Sequence, residues 1–304
     1  MERRDSNASD ATFISLQQVD PSPIDSPADW DLEKQTPDLP SRPSFGRSSS
    51  LGLSGSHGPA YYLTRIQRYS SYTFTIFGAM HITNTSLIPL LTRSIPVSDS
   101  YLLLTRPYYQ SFPFEPLLIG APLIAHITSG IALRIYRRSV AQKRYSSYQA
   151  TSRSILSFFQ PKTWPVLSNI SLSGYLLAPL VFSHIFVNRI IPLIHEGSSS
   201  GVGLGYVAHG FAKHPIVSWT TYVALVGIGT GHMIWGAAKW FNLTPTTGTD
   251  KEKRRRKRRI NGVVGVVAGI WMSGGLGVVA RSGPEPGWIG RGYDALFEKV
   301  PLLR

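Results

Sequence analysis

The sequence predicts an all-α integral membrane protein with five transmembrane helices, preceded by a disordered N-terminal tail. Five apolar stretches support this fold class, because each is close to the twenty or so residues that cross a bilayer as a helix. The Lys and Arg residues number 31 against 17 Asp and Glu, and most lie between these stretches, which favours a membrane over a nucleic-acid partner. The stretches cover residues 69–91, 116–136, 170–194, 215–241 and 260–280.

Composition divides the chain into a tail, residues 1–60, and a transmembrane domain, residues 61–304. The tail is rich in Ser, Pro and Asp and carries nine acidic and five basic residues, a net charge of −4. Because such a segment buries too little apolar surface to offset its chain entropy, we expect it to be disordered. The chain has no cysteine, which excludes disulfides and thiolate metal sites.

Lysine and arginine concentrate in two of the connections between the apolar stretches. The connection after the second stretch and the one before the last are basic, whereas the first and third connections are far poorer in these residues. The positive-inside rule therefore places the tail and both basic connections in the cytosol and the C-terminus on the opposite side. Five spans require termini on opposite sides, so the two arguments agree. The basic residues are Arg137, Arg138, Lys143, Arg144, Arg153 and Lys162 in the first, and Lys251, Lys253 and residues 254–259 in the second.

Two features inside the stretches predict how they sit in the membrane. Arg189 lies near the end of the third stretch, where its side chain can reach the interface. Gly265 and Gly269 form a small-xxx-small pair in the last stretch, which favours close contact with another helix.

Helices 1 and 2 are predicted to be duplicated as helices 3 and 4. "HITNTSLIPLL" (81–91) matches "HIFVNRIIPLI" (184–194), with eight residues from His81 to Pro89 and from His184 to Pro192. "HITSGIALR" (126–134) matches "HMIWGAAKW" (232–240), with a glycine four residues after each histidine. Two spans separate the copies, so the repeat is parallel.

The repeat places one histidine in each of four spans: His81, His126, His184 and His232. Ionisable groups at membrane depth are costly and mark candidate functional sites. One interpretation is haem b, held by two axial imidazoles from neighbouring helices; four histidines supply two haems, or one haem with two spare. The other is that neutral imidazoles hydrogen-bond across helix interfaces. The pattern resembles the membrane-anchor cytochrome b subunits of succinate dehydrogenase and fumarate reductase.

Enzyme chemistry finds no support in the sequence. The spans hold almost no acidic residues, and no Ser/His/Asp set or carboxylate pair is present. "GVGLG" and "GIGTG" do not follow a strand, so they are not nucleotide-binding loops. "KEKRRRKRR" directly precedes a span and is interpreted as a topology signal and a contact with anionic lipid, not as a nucleic-acid site.

An apolar segment interrupts the polar tail: "FISLQQVDPSPID", residues 13–25. It contains a Pro-x-Pro motif with apolar residues on both sides. Proline favours extended backbone and lowers the entropy lost on docking, while alternating apolar anchors can fill pockets beside a sheet edge. The candidate partner-binding residues are Ile14, Leu16, Val19, Pro21, Pro23 and Ile24.

With this tail motif, the His-Ile and Ile-Pro-Leu elements and the basic fourth connection, the chain resembles a fungal family. These are mitochondrial outer-membrane adaptors, first known as suppressors of lost ER–mitochondria tethering. The resemblance implies that the Pro-x-Pro segment docks on the Vps-thirteen bridge-like lipid-transfer protein and recruits it to mitochondria, in support of lipid homeostasis at membrane contact sites. Residues 25–60 have no counterpart in it.

The predicted function is therefore a non-enzymatic, multi-pass adaptor with a cytosolic N-terminus, whose partners are the lipid-transfer protein and membrane lipids. Two alternatives stay open. One is a haem b protein that carries electrons, and the other is a lipid scramblase, for which polar residues such as Asn84 and Asn188 leave room.

Overall fold

The computed structural model describes residues 58–151 and 167–303, which lie in the unit Ser56–Arg304. The predicted docking residues of the tail, from Ile14 to Ile24, lie outside this part of the chain. All regular elements in it are helical. They are α1 (Pro59–Ile82), π1 (Thr83–Leu87), α2 (Ile88–Thr92), α3 (Ile95–Thr105), α4 (Pro107–Gln110), π2 (Pro116–Gly120), α5 (Ala121–Thr151), α6 (Asn169–Ile185), π3 (Phe186–Ile190), α7 (Ile191–Glu196), α8 (Leu204–Lys213), α9 (Pro215–Trp240), α10 (Asp250–Gly275), a 3₁₀ turn (Val279–Arg281) and α11 (Gly287–Phe297).

Among residues 58–151 and 167–303, four continuous helical stretches are long and apolar enough to cross a membrane. They run over Pro59–Thr92, Pro116–Lys143, Asn169–Glu196 and Asp250–Arg281, and most of their side chains are not buried inside the protein. Outward-facing apolar side chains are what lipid contact requires, since the bilayer core is itself apolar. Four of the five predicted spans are therefore confirmed, each within a longer helix than the apolar pattern alone marked.

The remaining predicted span, residues 215–241, forms helix α9 but is not among those four. Its 26 residues are long enough. Hydroxyl side chains, glycines and His232 lower its mean hydropathy. It nevertheless packs along both α6 and α10, which are parts of apolar spans. The fifth span thus stays a prediction, and α9 has the packing that such a span would have.

The three π-helices in the described part of the chain each end two residues before a proline. π1 precedes Pro89, π2 precedes Pro122, and π3 precedes Pro192. Proline has no N–H for the carbonyl four residues back, and its ring collides with that carbonyl in a regular α-helix. A widened π turn relieves this collision without breaking the span.

Helices π1 and α10 approach each other closely at Gly274. A Cβ built on Gly274 would fall far inside contact distance of the Ser86 backbone carbonyl and 2.6 Å from its hydroxyl oxygen. The Ser86 hydroxyl in turn donates to the carbonyls of Ile270 and Trp271, at 3.2 and 2.8 Å. Only glycine fits at position 274.

The predicted contact glycines, Gly265 and Gly269, are not at this interface. A Cβ added to either would meet no atom within 4 Å. The small-xxx-small prediction was therefore wrong: the spacing was present, but these two glycines face open space. The close contact is made one to two turns later in the helix, at Gly274.

At one end of the spans, the segments 92–115, 197–214 and 279–303 pack together into what we call the helical cap. Helix α8 lies at its centre and contacts α3, α11 and the 3₁₀ turn. Its main apolar cluster is Ile191, Val202, Tyr206, Leu296, Phe297, Val300 and Leu303. The C-terminal segment is therefore a packed part of the protein.

Polar side chains fix the loops of the cap. The Asp99 carboxylate accepts the backbone N–H of Leu204 at 2.7 Å, so a residue of α3 caps the start of α8. Burial raises the pKa of Asp99, an effect that these backbone bonds partly offset. The guanidinium of Arg106 donates to the carbonyls of Ser200 and Val202.

Arg189, predicted to reach towards the membrane surface, is instead held by protein. Its Nε donates to Glu115 Oε1 at 2.7 Å and its Nη2 to Oε2 at 2.5 Å, and it also contacts the Ser199 hydroxyl. This bidentate geometry is the strong form of an arginine–carboxylate pair. It joins the third span to the start of the second, where the acidic partner lies 74 residues away in sequence.

Candidate functional site: the paired histidines

The four predicted histidines come together as two separate pairs. His81 of α1 and His184 of α6 have ring centroids 5.8 Å apart. His126 of α5 and His232 of α9 have ring centroids 6.0 Å apart. Each pair therefore joins the corresponding members of the proposed repeat, first helix to first helix and second to second.

The His126/His232 pair is anchored by backbone carbonyls. His126 Nδ1 lies 3.1 Å from the Gln67 carbonyl, and His232 Nδ1 lies 3.2 Å from the Ile170 carbonyl. The Ser173 hydroxyl donates to that same Ile170 carbonyl and is also 3.1 Å from His232 Nδ1. Because a carbonyl only accepts, each Nδ1 carries the proton, and each Nε2 keeps its lone pair.

Two glycines permit this anchoring. A Cβ on Gly174 would lie 3.0 Å from Cε1 of His232, and a Cβ on Gly130 would lie 2.8 Å from the amide nitrogen of Gln67. Gly130 was singled out in the sequence as the residue four positions after His126. Its counterpart Gly236, four positions after His232, meets nothing within 4 Å.

The His81/His184 pair has a different surrounding. Phe77 stacks on His81 at 5.3 Å, and Tyr222 meets His184 edge-on at 5.6 Å. The amide nitrogen of Asn188 donates to the His184 carbonyl at 2.8 Å, and lies 3.3 Å from His184 Nδ1 and 3.2 Å from the Tyr222 hydroxyl. Here a side-chain amide, not a carbonyl, faces the ring nitrogen.

The two pairs lie at different depths. Gln67, which contacts His126, precedes His81 by fourteen residues of continuous α-helix, and Ile170, which contacts His232, precedes His184 by the same number. At 1.5 Å per residue the two levels are about 20 Å apart along the bundle. The His81/His184 level is the one nearer the helical cap.

One offset of 103 residues relates several features of the two halves. It carries His81 to His184, Pro89 to Pro192, the anchoring Gln67 to Ile170, and each end of π1 to the matching end of π3. The anchors and π turns add structural correspondences to those in the sequence.

The donor set suits a porphyrin better than a bare ion. Among residues 58–151 and 167–303 no group of three or more His, Asp or Glu side chains could hold a metal. Each pair offers two imidazoles, which is what an iron with four porphyrin nitrogens still needs. For His126 and His232, the hydrogen bond on Nδ1 is the outer support that metal-ligating imidazoles usually have.

Sequence reasoning found the four histidines but not their partners. Gln67 and Ile170 act through backbone carbonyls, which any residue has, so no side-chain pattern marks them. Tyr222 could be found only from the fold. Asn188 was noted as a polar residue in a span, without its link to His184.

Comparison with known proteins gives one family match. Residues 179–284 match the family model described as MDM10-complementing protein 1, transmembrane domain. This region is about a third of the chain and includes His184, His232 and all of α10. No curated protein and no solved structure matches significantly. This third of the chain is therefore similar to a known transmembrane domain, in agreement with the helices that are long and apolar enough to cross a membrane.

Proposed function

We propose that this protein is a non-enzymatic adaptor of the mitochondrial outer membrane. It recruits a bridge-like lipid-transfer protein of the Vps-thirteen type through the Pro-x-Pro motif at Pro21 and Pro23. The observation that carries the proposal is this motif within an apolar segment of an otherwise polar tail. The match to a mitochondrial membrane family supports the location.

The distribution of charge supports a cytosolic tail. Helix α10 begins at Asp250 with eight Lys and Arg residues within its first ten positions and continues without interruption into the apolar span. The far end of the same span reaches the helical cap, which contains the C-terminal segment. If α9 is the fifth span, the cationic end of the bundle is also the end at which α1 begins. The tail then emerges on the cytosolic side, where a lipid-transfer protein can reach it.

Replacing Pro21 and Pro23 by alanine tests this function. We expect recruitment of the partner to mitochondria to fall at least tenfold, because the docking segment loses both its fixed backbone and its proline contacts. The measurement is partner co-localisation in cells, together with pull-down by a tail peptide. A matched control replaces Pro40 and Pro43, another pair of prolines in the same tail, and leaves recruitment intact. Unchanged recruitment by the first variant, at equal expression, refutes the adaptor proposal.

A second candidate function is haem b binding, and the two histidine pairs favour it. We infer that helices 3 and 4 descend from a duplication of helices 1 and 2, because one offset of 103 residues relates His81 to His184, Pro89 to Pro192, the two π turns and the anchoring carbonyls. A bound haem would supply one-electron chemistry. The chain would hold it by axial imidazoles, keep water away with the surrounding spans, and fix the imidazole protons on Nδ1. Both functions are compatible in one chain.

The absorption spectrum of the full-length protein tests the haem candidate. The protein is purified in detergent from cells grown with added haem precursor, and hemin is also added after purification. We expect a Soret band with the sharp visible bands of a low-spin haem after reduction, because two imidazoles give a strong axial field. A spectrum without any such band under both conditions removes the haem candidate and leaves the adaptor proposal untouched.

A further inference from the structure

We infer that the two histidine pairs have different roles: His126 and His232 are the axial ligands of a single haem, while His81 and His184 form a packing pair that binds no metal. The inference rests on the haem proposal above and decides between one and two haems. Two properties of the surroundings bear on it: the hydrogen bonds of the imidazole rings and the nearby charge.

The imidazole protons favour the His126/His232 pair. An iron ligand must present a nitrogen with a free lone pair, and the second ring nitrogen usually donates to a fixed acceptor. His126 and His232 meet both conditions, since each Nδ1–H donates to a main-chain carbonyl. The distances, 3.1 and 3.2 Å, are ordinary hydrogen-bond lengths. Main-chain carbonyls within a helix cannot turn away, so the orientation of both rings is fixed before any ligand arrives.

The same argument disfavours His184. The amide nitrogen of Asn188 is held in place by the His184 carbonyl at 2.8 Å, because turning the amide over would bring two oxygens together. The same nitrogen donates to the Tyr222 hydroxyl at 3.2 Å and lies 3.3 Å from His184 Nδ1. The neighbour of His184 Nδ1 is therefore a side-chain amide nitrogen, which is a donor group, and not a main-chain carbonyl that could accept the imidazole proton. His184 thus does not have the carbonyl anchor that fixes the rings of His126 and His232.

Charge also separates the pairs. A haem carries two propionate groups, and membrane depth makes unpaired carboxylates costly. At the His126/His232 level, Arg65 and Arg68 flank the anchoring Gln67 and contact Tyr61 and Tyr72. Lys239 lies two turns beyond His232 towards the same end of the bundle, over the ring of Trp240. At the other level the neighbours of the rings are Phe77 and Tyr222, and the nearby Arg189 forms an ion pair with Glu115.

Space beside the rings does not decide between the pairs. A Cβ added to Gly236, four residues after His232, would meet no atom within 4 Å, and the same holds for Gly78, three residues before His81. Hydrogen bonding and charge therefore carry the assignment. The His81/His184 pair, with Asn188 and Tyr222, has the character of interhelical polar contacts that tie α1, α6 and α9 together.

Two double variants of the full-length protein test the assignment. We compare H126A/H232A with H81A/H184A after identical hemin loading, and count haem per chain by the pyridine haemochrome assay. The expected values are one haem per chain for the wild type and for H81A/H184A, and at least a tenfold loss for H126A/H232A. To separate lost ligation from lost folding, imidazole is added to the His126→Gly variant, whose Soret band should return.

Four other results would contradict the assignment of one haem to His126 and His232. Two haems in the wild type, with one lost in each double variant, overturn the single-site assignment. Haem retained by H126A/H232A and lost by H81A/H184A reverses it. A wild-type protein without a Soret band removes the haem proposal itself, and with it this inference. A His126→Gly variant that is folded but does not recover its band with imidazole also contradicts ligation by His126.

Discussion

Replacing Gly274 by valine is expected to destabilise the membrane domain by about 3 kcal/mol or more. The position faces the backbone carbonyl and the hydroxyl of Ser86 in π1, and Ser86 is completely buried. Main-chain atoms cannot move aside as a flexible side chain can, so α10 must shift away from π1. That shift would also break the bonds from the Ser86 hydroxyl to the carbonyls of Ile270 and Trp271.

Gly269→Val is the matched control, because it makes the same substitution in the same helix. A Cβ there would meet no atom within 4 Å, so the melting temperature of the purified protein should stay within about 2 °C of the wild type. The melting temperature of Gly274→Val should fall by about 6 °C or more, measured by intrinsic fluorescence in detergent. Equal melting temperatures for the two variants would contradict the close approach of π1 and α10.

His209→Ala in the helical cap is also expected to lower the stability of the protein strongly. His209 is 1% exposed, its Nε2 lies 2.8 Å from Asp294 Oδ1, and its Nδ1 accepts the backbone N–H of Glu285 at 3.0 Å. Its ring also stacks on Phe297. Alanine removes both bonds and leaves a cavity, which costs about 2–4 kcal/mol.

Loss of His209 should release the C-terminal segment, which limited proteolysis after Arg281 and Arg291 would detect. His195→Ala is the control, because His195 is exposed on the same side of the bundle. Cleavage of both variants at the wild-type rate would show that His209 does not hold α11 on α8.

The bond to His209 also predicts a dependence on pH. It is the main cause that lowers the pKa of Asp294, with Lys213 contributing through its charge. A carboxyl whose pKa is lower in the folded state stabilises that state above its ordinary pKa, and the effect is lost as the pH falls through the lowered value. We expect acidification below about pH 4 to speed proteolysis of the wild-type cap. The same acidification should change the proteolysis rate of Asp294→Asn less, because this variant has already lost the carboxylate and its cap is weaker at neutral pH.

Much of the fold follows from hydropathy, because a bilayer imposes length and apolarity on every helix that crosses it. That constraint is local, so residues 69–91 or 260–280 identify their spans without knowledge of their neighbours. The ends were harder to place: α10 begins ten residues before its apolar part, where a run of Lys and Arg forms helix outside the membrane core. Residues 215–241 were found as a helix, but their polar content leaves the fifth span as a prediction.

Helix contacts were much less predictable. Gly265, Gly269 and Gly274 all lie in one helix, and only Gly274 meets a neighbour. Which face of a helix turns towards protein depends on the rotation of that helix, and the part of α10 after its basic first ten residues is apolar all round because lipid and protein are both apolar. Arg189 shows the same limit, since its partner Glu115 lies just before a different span.

The sequence by itself determined that this is a helical membrane protein with a histidine in each of four apolar stretches, and it predicts a basic cytosolic face and a docking motif in the tail. These inferences depend on composition and on the spacing of residues along the chain. Only the tertiary structure decided which histidines meet, at which depth, and which ring nitrogens are left bare. Those facts depend on the backbone carbonyls of Gln67 and Ile170, which lie 59 and 62 residues along the chain from His126 and His232. A backbone carbonyl is common to every residue, so no side-chain pattern predicts these contacts.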